Sequence, residues 1–480
     1  MLANSLHNLN EALFGPQKST SQPGRSLTVS HNGIEMSFYI SLDLWSTAER
    51  IRDSFHAALS KTPDIGTTEI DLYTAFLRYC CGYNQEDKSL LLFPFLKFLL
   101  GDLNERYAKG NNIHAISLDA SLSEKMTLVR SHYELSFMLN SCGNFDTSVA
   151  DNQAPALVNE LKLGTAKLFA IFGGQGNSEE YLMELRDVYS TYHIILHDYC
   201  TKIFDVLNDL SKHPDAHDFV SQGFNVLSWL EKPESQPSND YLLSTPISLP
   251  LLGLIQLINY YVLLQSWNIS PHELRNYFEG TTGHSQGIIS SVVISSSSTI
   301  EEFFDNSIKG IKLLFWIGIR SLAVFPQTTL DPSVIKDSVA NNEGIPTPML
   351  AVSNLSLKEL EKQVHATNAF LKEDQKIYIS LVNGPRNMVC SGPPQSLYGL
   401  NVALRKFKAP AGLDQSRIPF SERKVKFSTR FLPIGAPFHS AHLLNALPYL
   451  NEDIKRFSLD FKASSMALKV LSTDTGNFVL

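Results

Sequence analysis

Gly283-His284-Ser285-Gln286-Gly287 constrains this chain more tightly than any other five residues. A serine between glycines at that spacing fits a sharp turn from a strand into a helix, the geometry of a nucleophile elbow. The glycines let the backbone turn without side-chain clashes and leave room for a reactant at the hydroxyl. The flanks agree with this. Tyr277 to Thr282 reads as extended, and Ile288 to Ile294 is small and apolar, as a helix packed behind the turn must be. Alone, the pentapeptide is equally an ordinary Gly/Ser turn, so the strand–turn–helix context carries the argument.

Two more segments sharpen it. Leu168 to Phe172 is apolar and runs into Gly173-Gly174-Gln175-Gly176-Asn177, ahead of a helical pattern over Glu179 to Tyr192. Such a loop can cradle a phosphate with its amides, although it lacks the Lys-Ser/Thr of a P-loop and the full G-x-G-x-x-G spacing. It can equally present one amide to an oxyanion, with the amide of Gln286, just after the serine, as a second donor. The blander reading is a plain strand-to-helix turn. Gly435-Ala436-Pro437-Phe438-His439-Ser440 follows the apolar Phe431 to Ile434, which sets His439 just past a strand end. That is a good place for a general base, and also an ordinary place for a structural histidine.

In the order G-Q-G, G-H-S-Q-G, A-P-F-H-S, the chain resembles the acyl-CoA:acyl-carrier-protein acyltransferase family. Longer blocks are similar to one branch of it, the amino-terminal acetyltransferase region of fungal fatty acid synthase β subunits. These are Ile171 to Asn177, Asn341 to Gly344, Ser391 to Asn401 and Leu413 to Lys424, with weaker likeness at Ser26 to His31 and Gly110 to Ala115. The likeness covers nearly the whole chain.

The 480 residues suffice for two or three domains. Apolar content of 43% with 18% charge is that of a folded chain, and a net charge of −8 without a Lys/Arg stripe argues against nucleic acid. Five cysteines without metal-ligand spacing read as reduced thiols of a cytoplasmic protein. Met1 to Gln17 lacks the charged start and apolar core of a secretory signal. Ile247 to Trp267 has no charged residue, but Pro250, Gln256, Asn259 and Gln265 interrupt it, so a buried helix is expected there and not a membrane span.

Residues 1 to 25 read as a polar lead-in, and residues 1–150 as a mostly helical amino-terminal domain with a short extended start, carrying no visible chemistry. Asp151 to Pro155 marks a boundary. From 165 onward strands and helices alternate, the pattern of an α/β domain with a largely parallel sheet. Within it, residues 348–434 read β-α-β-β-α-β, the order of the ferredoxin-like motif, with Ser356 and Glu359 as a capping-box start. The resemblance implies the same architecture: a ferredoxin-like subdomain inserted in an α/β-hydrolase-like acyltransferase domain spanning 165–480, with the site between them.

The resemblance also implies roles. Ser285 would be the nucleophile, His439 its base, the amides of Gln175 and Gln286 the oxyanion donors, and Asn383 a residue near the acyl pocket. Between Ser285 and His439, Asp305, Asp331, Asp337, Asp374 and Asp414 lack a telling context. A dyad whose histidine is steadied by backbone groups is implied, and Asp414 reads as part of a charged loop with Arg417. Malonyl-selective relatives carry an arginine on a helix after the nucleophile. Aligning Leu313 to Gly318 with that helix puts Ile317 in its place, where it cannot pair with a carboxylate, so a neutral acyl group such as acetyl is implied. Arg320, three residues on, lies near the same helical face.

The expected substrate is a CoA thioester, with the phosphopantetheine thiol of an acyl carrier protein as acceptor. The expected assembly is a large hetero-oligomer with a synthase α subunit, without nucleic acid or membrane. No metal, FMN or NADPH site is expected in this segment. The chain stops at Leu480, where further pocket-closing elements would be expected. A serine hydrolase, or a non-catalytic assembly fragment, are the competing readings.

Overall fold

Asn32 and Gly33 both adopt left-handed backbone, with φ of 48° and 82°, and turn β1 (Gly24–His31) back on β2 (Ile34–Ser41). Asn-Gly is the favoured pair for such a hairpin because both central residues need positive φ. Alternation along the two strands buries Leu27, Val29, Met36, Phe38 and Ile40 on one face. Among the described residues, four α-helices accompany the hairpin: α1 (Leu42–Leu59), α2 (Glu69–Gly82), α3 (Leu92–Leu103) and α4 (Leu122–Asn140). Thr68 caps α2 reciprocally with Asp71. Phe55, Phe76, Leu96, Leu99 and Leu128 fill the core with the hairpin face.

The computed structural model describes residues 23–59, 65–83, 92–109, 113–116, 120–140, 156–176, 180–325, 328–410, 412, 414–419 and 422–478. It divides into two units, Met1–Ala156 with Thr191–Ile194, and Leu157–Ser190 with Ile195–Leu480. The expected lead-in up to residue 22, the Asp151 to Pro155 boundary and Cys142 lie outside the described residues.

Two sheets lie in the described residues of the second unit. One is parallel, in the order β3-β4-β9, formed by Leu168–Phe172, Phe278–Gly283 and Val470–Leu471. Helix α5 (Thr245–Trp267) is the long apolar segment, and 78% of its most apolar window is buried inside the protein. It packs on α7 (Ile300–Val324), where Thr245 Oγ1 donates to the Gly318 carbonyl at 3.2 Å. Between β4 and α7 runs α6 (Gly287–Ser295), the short helix of the elbow.

The other sheet is antiparallel, in the order β6-β7-β5-β8. Its strands are β5 (Met349–Ser353), β6 (Tyr378–Gly384), β7 (Asn387–Ser391) and β8 (Ser428–Phe431). Helices α8 (Leu357–Asn368) and α9 (Pro394–Arg405) pair with each other and bury Leu360, Val364, Leu397, Leu400 and Leu404 against this sheet. Ser356 Oγ accepts from the Glu359 amide at 3.3 Å, one half of the expected capping box.

Strand β8, which ends the β-α-β-β-α-β stretch, has only four residues. Val425 bridges Lys408, and beyond Phe431 the chain leaves regular pairing at Pro433, which has no amide to donate. Glu343, from the Asn341 to Gly344 block, is 1% exposed and takes a two-point ion pair from Arg405 on α9. Its carbonyl also accepts from the Phe431 amide at 2.7 Å, which fixes the end of β8.

Candidate active site

Strand β4 ends at Gly283 and α6 begins at Gly287, which leaves Ser285 on the bend with φ 54°. A non-glycine residue in that region is under strain, and strain of this kind clusters at functional sites. The flanking glycines are needed for closeness. A Cβ on Gly283 would lie 2.0 Å from the Gly287 carbonyl carbon. One on Gly287 would lie 2.5 Å from the carbonyl oxygens of both Phe172 and Gly173 at the end of β3. The elbow is thus pressed against the Gly173–Gly176 loop.

His439 reaches the same point from the antiparallel sheet. After β8, the Leu432 amide donates to the Met349 carbonyl at 2.9 Å and keeps the chain beside β5. The backbone then turns so that His439 also has positive φ, 58°. Its Nε2 stands 2.8 Å from Ser285 Oγ, across 154 residues of sequence. Burial of the ring, and then the neighbouring His284, hold the His439 pKa below its ordinary 6.5. The imidazole is therefore neutral and able to accept a proton near pH 7.

Among the described residues no carboxylate hydrogen-bonds His439. Asp331 caps its helix through Ser333, and Asp337 pairs with Arg405 and Tyr398. Asp414 has the structural role expected of it in its loop. It accepts from the Ser416 amide at 2.9 Å and hydroxyl at 3.0 Å, the reach of a short carboxylate to the backbone two residues on.

The Gly173–Gly176 loop lies over the elbow: a Cβ on Gly174 would fall 3.2 Å from Ser285 Cβ. The Gln175 side chain is directed to Ser248 on α5, at 2.7 Å. Neither the Gln175 nor the Gln286 backbone amide donates to a backbone carbonyl among the described residues. The Gln286 side chain is buried and its amide group finds no hydrogen-bond partner among the described residues.

Gln256 escaped the sequence reading, where it figured only as a polar interruption of an apolar helix. Its Nε2 donates to the Gly173 carbonyl at 2.7 Å, and its Oε1 accepts from Ser290 on α6 at 2.7 Å. It therefore ties the glycine loop to the elbow helix. An uncharged polar residue inside an otherwise apolar helix was the available signal, since such a group has to find partners.

A cleft of about 420 Å³ opens over Ser285 and His439. Met349, Ala351, Leu381, Val389, Leu432 and Ile434, from the antiparallel sheet and the segment after it, give it an apolar wall, with Phe438 alongside. Ser353, Asn383, Asn387, Ser428 and Arg430 add polar groups. Asn383 Oδ1 lies 3.2 Å from His284 Nε2, so the two sheets meet at a second hydrogen bond beside the serine.

Ile317 is not among the residues that line this cleft. Arg320, on the same helix, is directed elsewhere. Its Nε and Nη2 hold Asp453 at 2.7 and 2.8 Å, and Nη2 also holds Asp215 at 2.8 Å. A concavity of about 440 Å³ in the first unit, lined by Phe55, Leu59, Thr74 and Arg78, offers no nucleophile with a base.

The family model for the starter unit:ACP transacylase in aflatoxin biosynthesis matches residues 170–425. A second, for the N-terminal domain in fatty acid synthase subunit beta, matches residues 23–139. The chain is 40% identical over 460 residues to the fatty acid synthase subunit beta of Saccharomyces cerevisiae, covering 94% of this chain and 22% of that protein. It is 38% identical over 463 residues to the same-named subunit of Schizosaccharomyces pombe, covering 94% and 21%. The chain thus spans about a fifth of the length of these relatives. The crystal structure of MCAT from Streptococcus pneumoniae is 17% identical, covering 65% of this chain and 76% of that one. Its TM-score is 0.39, too loose a likeness to carry an argument.

Proposed function

We propose, on the premise that this chain belongs to the starter unit:ACP transacylase family, that Ser285 and His439 move a neutral acyl group, acetyl, from CoA to the phosphopantetheine thiol of an acyl carrier protein. The observation that carries this reading is the 2.8 Å contact between the strained serine and a neutral histidine in an apolar-walled cleft.

His439 Nε2 takes the hydroxyl proton as Ser285 Oγ attacks the thioester carbonyl. The backbone amides of Gln175 and Gln286, free of other backbone acceptors among the described residues, stabilise the oxyanion. Collapse expels CoA as its thiolate, which takes the proton back from His439. The carrier-protein thiol then gives its proton to His439 and attacks the acyl-serine, and Ser285 leaves with that proton. Asn383, through His284, helps set the mouth of the acyl pocket.

Two observations favour a neutral acyl group. The wall facing Ser285 is apolar, and the Arg320 guanidinium is already engaged by two carboxylates. Ile317 supplies no guanidinium at its own position on that helix. Arg430 is the guanidinium that lines the cleft, so malonyl is the acyl group to test against acetyl.

The β-α-β-β-α-β sheet is read as a ferredoxin-like insert in an α/β-hydrolase-like domain. The relatives named above support assembly with a synthase α subunit. The free thiols Cys80, Cys81, Cys200 and Cys390 are consistent with a cytoplasmic setting.

The test is labelling of the purified chain by radiolabelled acetyl-CoA and malonyl-CoA, beside Ser285→Ala. Serine-dependent acetyl label that carrier-protein thiol releases is the expected result. Preferential malonyl label overturns the substrate, label lost equally fast to water makes the chain a hydrolase, and a folded chain that takes no label overturns the transferase.

A further inference from the structure

The loop that presents His439 has no helix or strand of its own to hold it, yet the histidine sits in the left-handed region, φ 58°. Such a conformation persists only where neighbouring groups over-determine it. Phe438, the residue before it, packs on the cleft wall of Met349, Val389 and Ile434. Its carbonyl accepts a 2.9 Å hydrogen bond from Ser391 Oγ, at the end of β7. Ser391 is fully buried.

Each hydroxyl has one proton to give. A carbonyl can only accept, so the Ser391 proton is committed to Phe438, and the Ser391 oxygen is left as an acceptor. Ser380 Oγ lies 2.7 Å from that oxygen and 3.1 Å from the Val389 carbonyl, and its proton serves these two acceptors. With Ser391 donating to Phe438, Ser380 is the neighbour placed to donate to Ser391.

We propose that Ser391 is a positioning residue for acyl transfer, its hydroxyl holding the Phe438 carbonyl and thereby keeping the strained His439 within reach of Ser285. This rests on the reading of Ser285 and His439 as the reacting pair. A buried hydroxyl on a neighbouring strand is the kind of support that keeps a catalytic side chain in place. Without it the Phe438 carbonyl loses its donor, the histidine loop relaxes, and Nε2 drifts from the serine. A displacement approaching 1 Å in such a group lowers rate by about 10²-fold.

The experiment measures two rates on the full chain: acetyl transfer from acetyl-CoA, and phosphonylation of Ser285 by a fluorophosphonate, which needs the base but no CoA site. Ser391→Ala is expected to lower both by about 10- to 100-fold, with KM for acetyl-CoA within about twofold. Ser380→Ala keeps the bond to Phe438 and is expected to change either rate by less than about threefold. In a His439→Ala background, Ser391→Ala should add nothing, because it acts through the histidine. Ser391→Cys, of similar size with a weaker donor, is expected to be intermediate and stands in if the alanine variant does not fold. Wild-type rates in Ser391→Ala or Ser391→Cys, or the same loss in the His439→Ala background, overturn the assignment. Full activity in His439→Ala alone would instead overturn the reacting pair.

Discussion

Gly287→Ala tests whether the elbow works by being pressed onto the Gly173–Gly176 loop. The added Cβ would meet the Phe172 and Gly173 carbonyl oxygens at 2.5 Å, where ordinary contact begins at 3.4 Å. The difference, 3.4 − 2.5 = 0.9 Å, has to be taken up by movement. Both obstacles are backbone atoms, so no side chain can swing aside. The strand end and the helix start must part, and with them the amides of Gln175 and Gln286. A displacement near 1 Å costs about 10²-fold, and outright loss of one oxyanion donor costs about 10²–10³-fold. The expected fall in kcat for acyl transfer is therefore about 10²–10³-fold. Overpacking of this kind destabilises by about 1–3 kcal/mol, which would leave the variant folded. Gly173→Ala is the control, since nothing lies within 4 Å of its added Cβ. Rapid-quench acylation with labelled acetyl-CoA reads the rate, and a denaturant titration reads the stability. Gly287→Ala with more than about a third of the wild-type kcat would refute the idea that this spacing sets the oxyanion site.

Two further outcomes follow from the same geometry. Because burial and His284 hold the His439 pKa below 6.5, the acid limb of kcat/KM should have its midpoint below 6.5. His284→Gln removes the second cause and should move that limb to higher pH; an unmoved limb would exclude His284 from tuning the base. Arg405→Met leaves the buried Glu343 carboxylate without its partner and should destabilise the second unit by about 3–5 kcal/mol. The double variant Arg405→Met with Glu343→Leu should recover most of that in a denaturant titration. A loss below about 1 kcal/mol for the single variant would mean that solvent reaches Glu343.

The elbow, the glycine loop and the β-α-β-β-α-β order were legible because each is local. A glycine-flanked serine, alternating apolar residues and the Ser356 cap announce themselves within a few residues of chain. What stayed hidden depends on contacts between distant segments. Gln256 looked like a flaw in an apolar helix until Gly173 and Ser290 were seen on either side of it. Ser391 stood only as the first residue of the Ser391 to Asn401 block, since nothing near it in sequence names Phe438 as its acceptor. Arg320 shared a helical face with Ile317, as the periodicity required, but the carboxylates that claim it lie at Asp215 and Asp453. The Asn32-Gly33 turn was readable from its two residues and was passed over as part of an extended start.

The left-handed backbone at Ser285 and His439 also limits which sequences can occupy this site. Threonine carries the same hydroxyl as serine, but its branched Cβ makes positive φ a poor conformation. A turn of this shape therefore admits serine, or cysteine with its unbranched thiol, and excludes the replacement that looks most conservative on paper. The same holds across the cleft, where only an unbranched side chain sits easily at φ 58°. Two positions far apart in the gene are thus restricted by backbone shape before any chemistry is selected, and drift at either member of the pair has few neutral steps open to it.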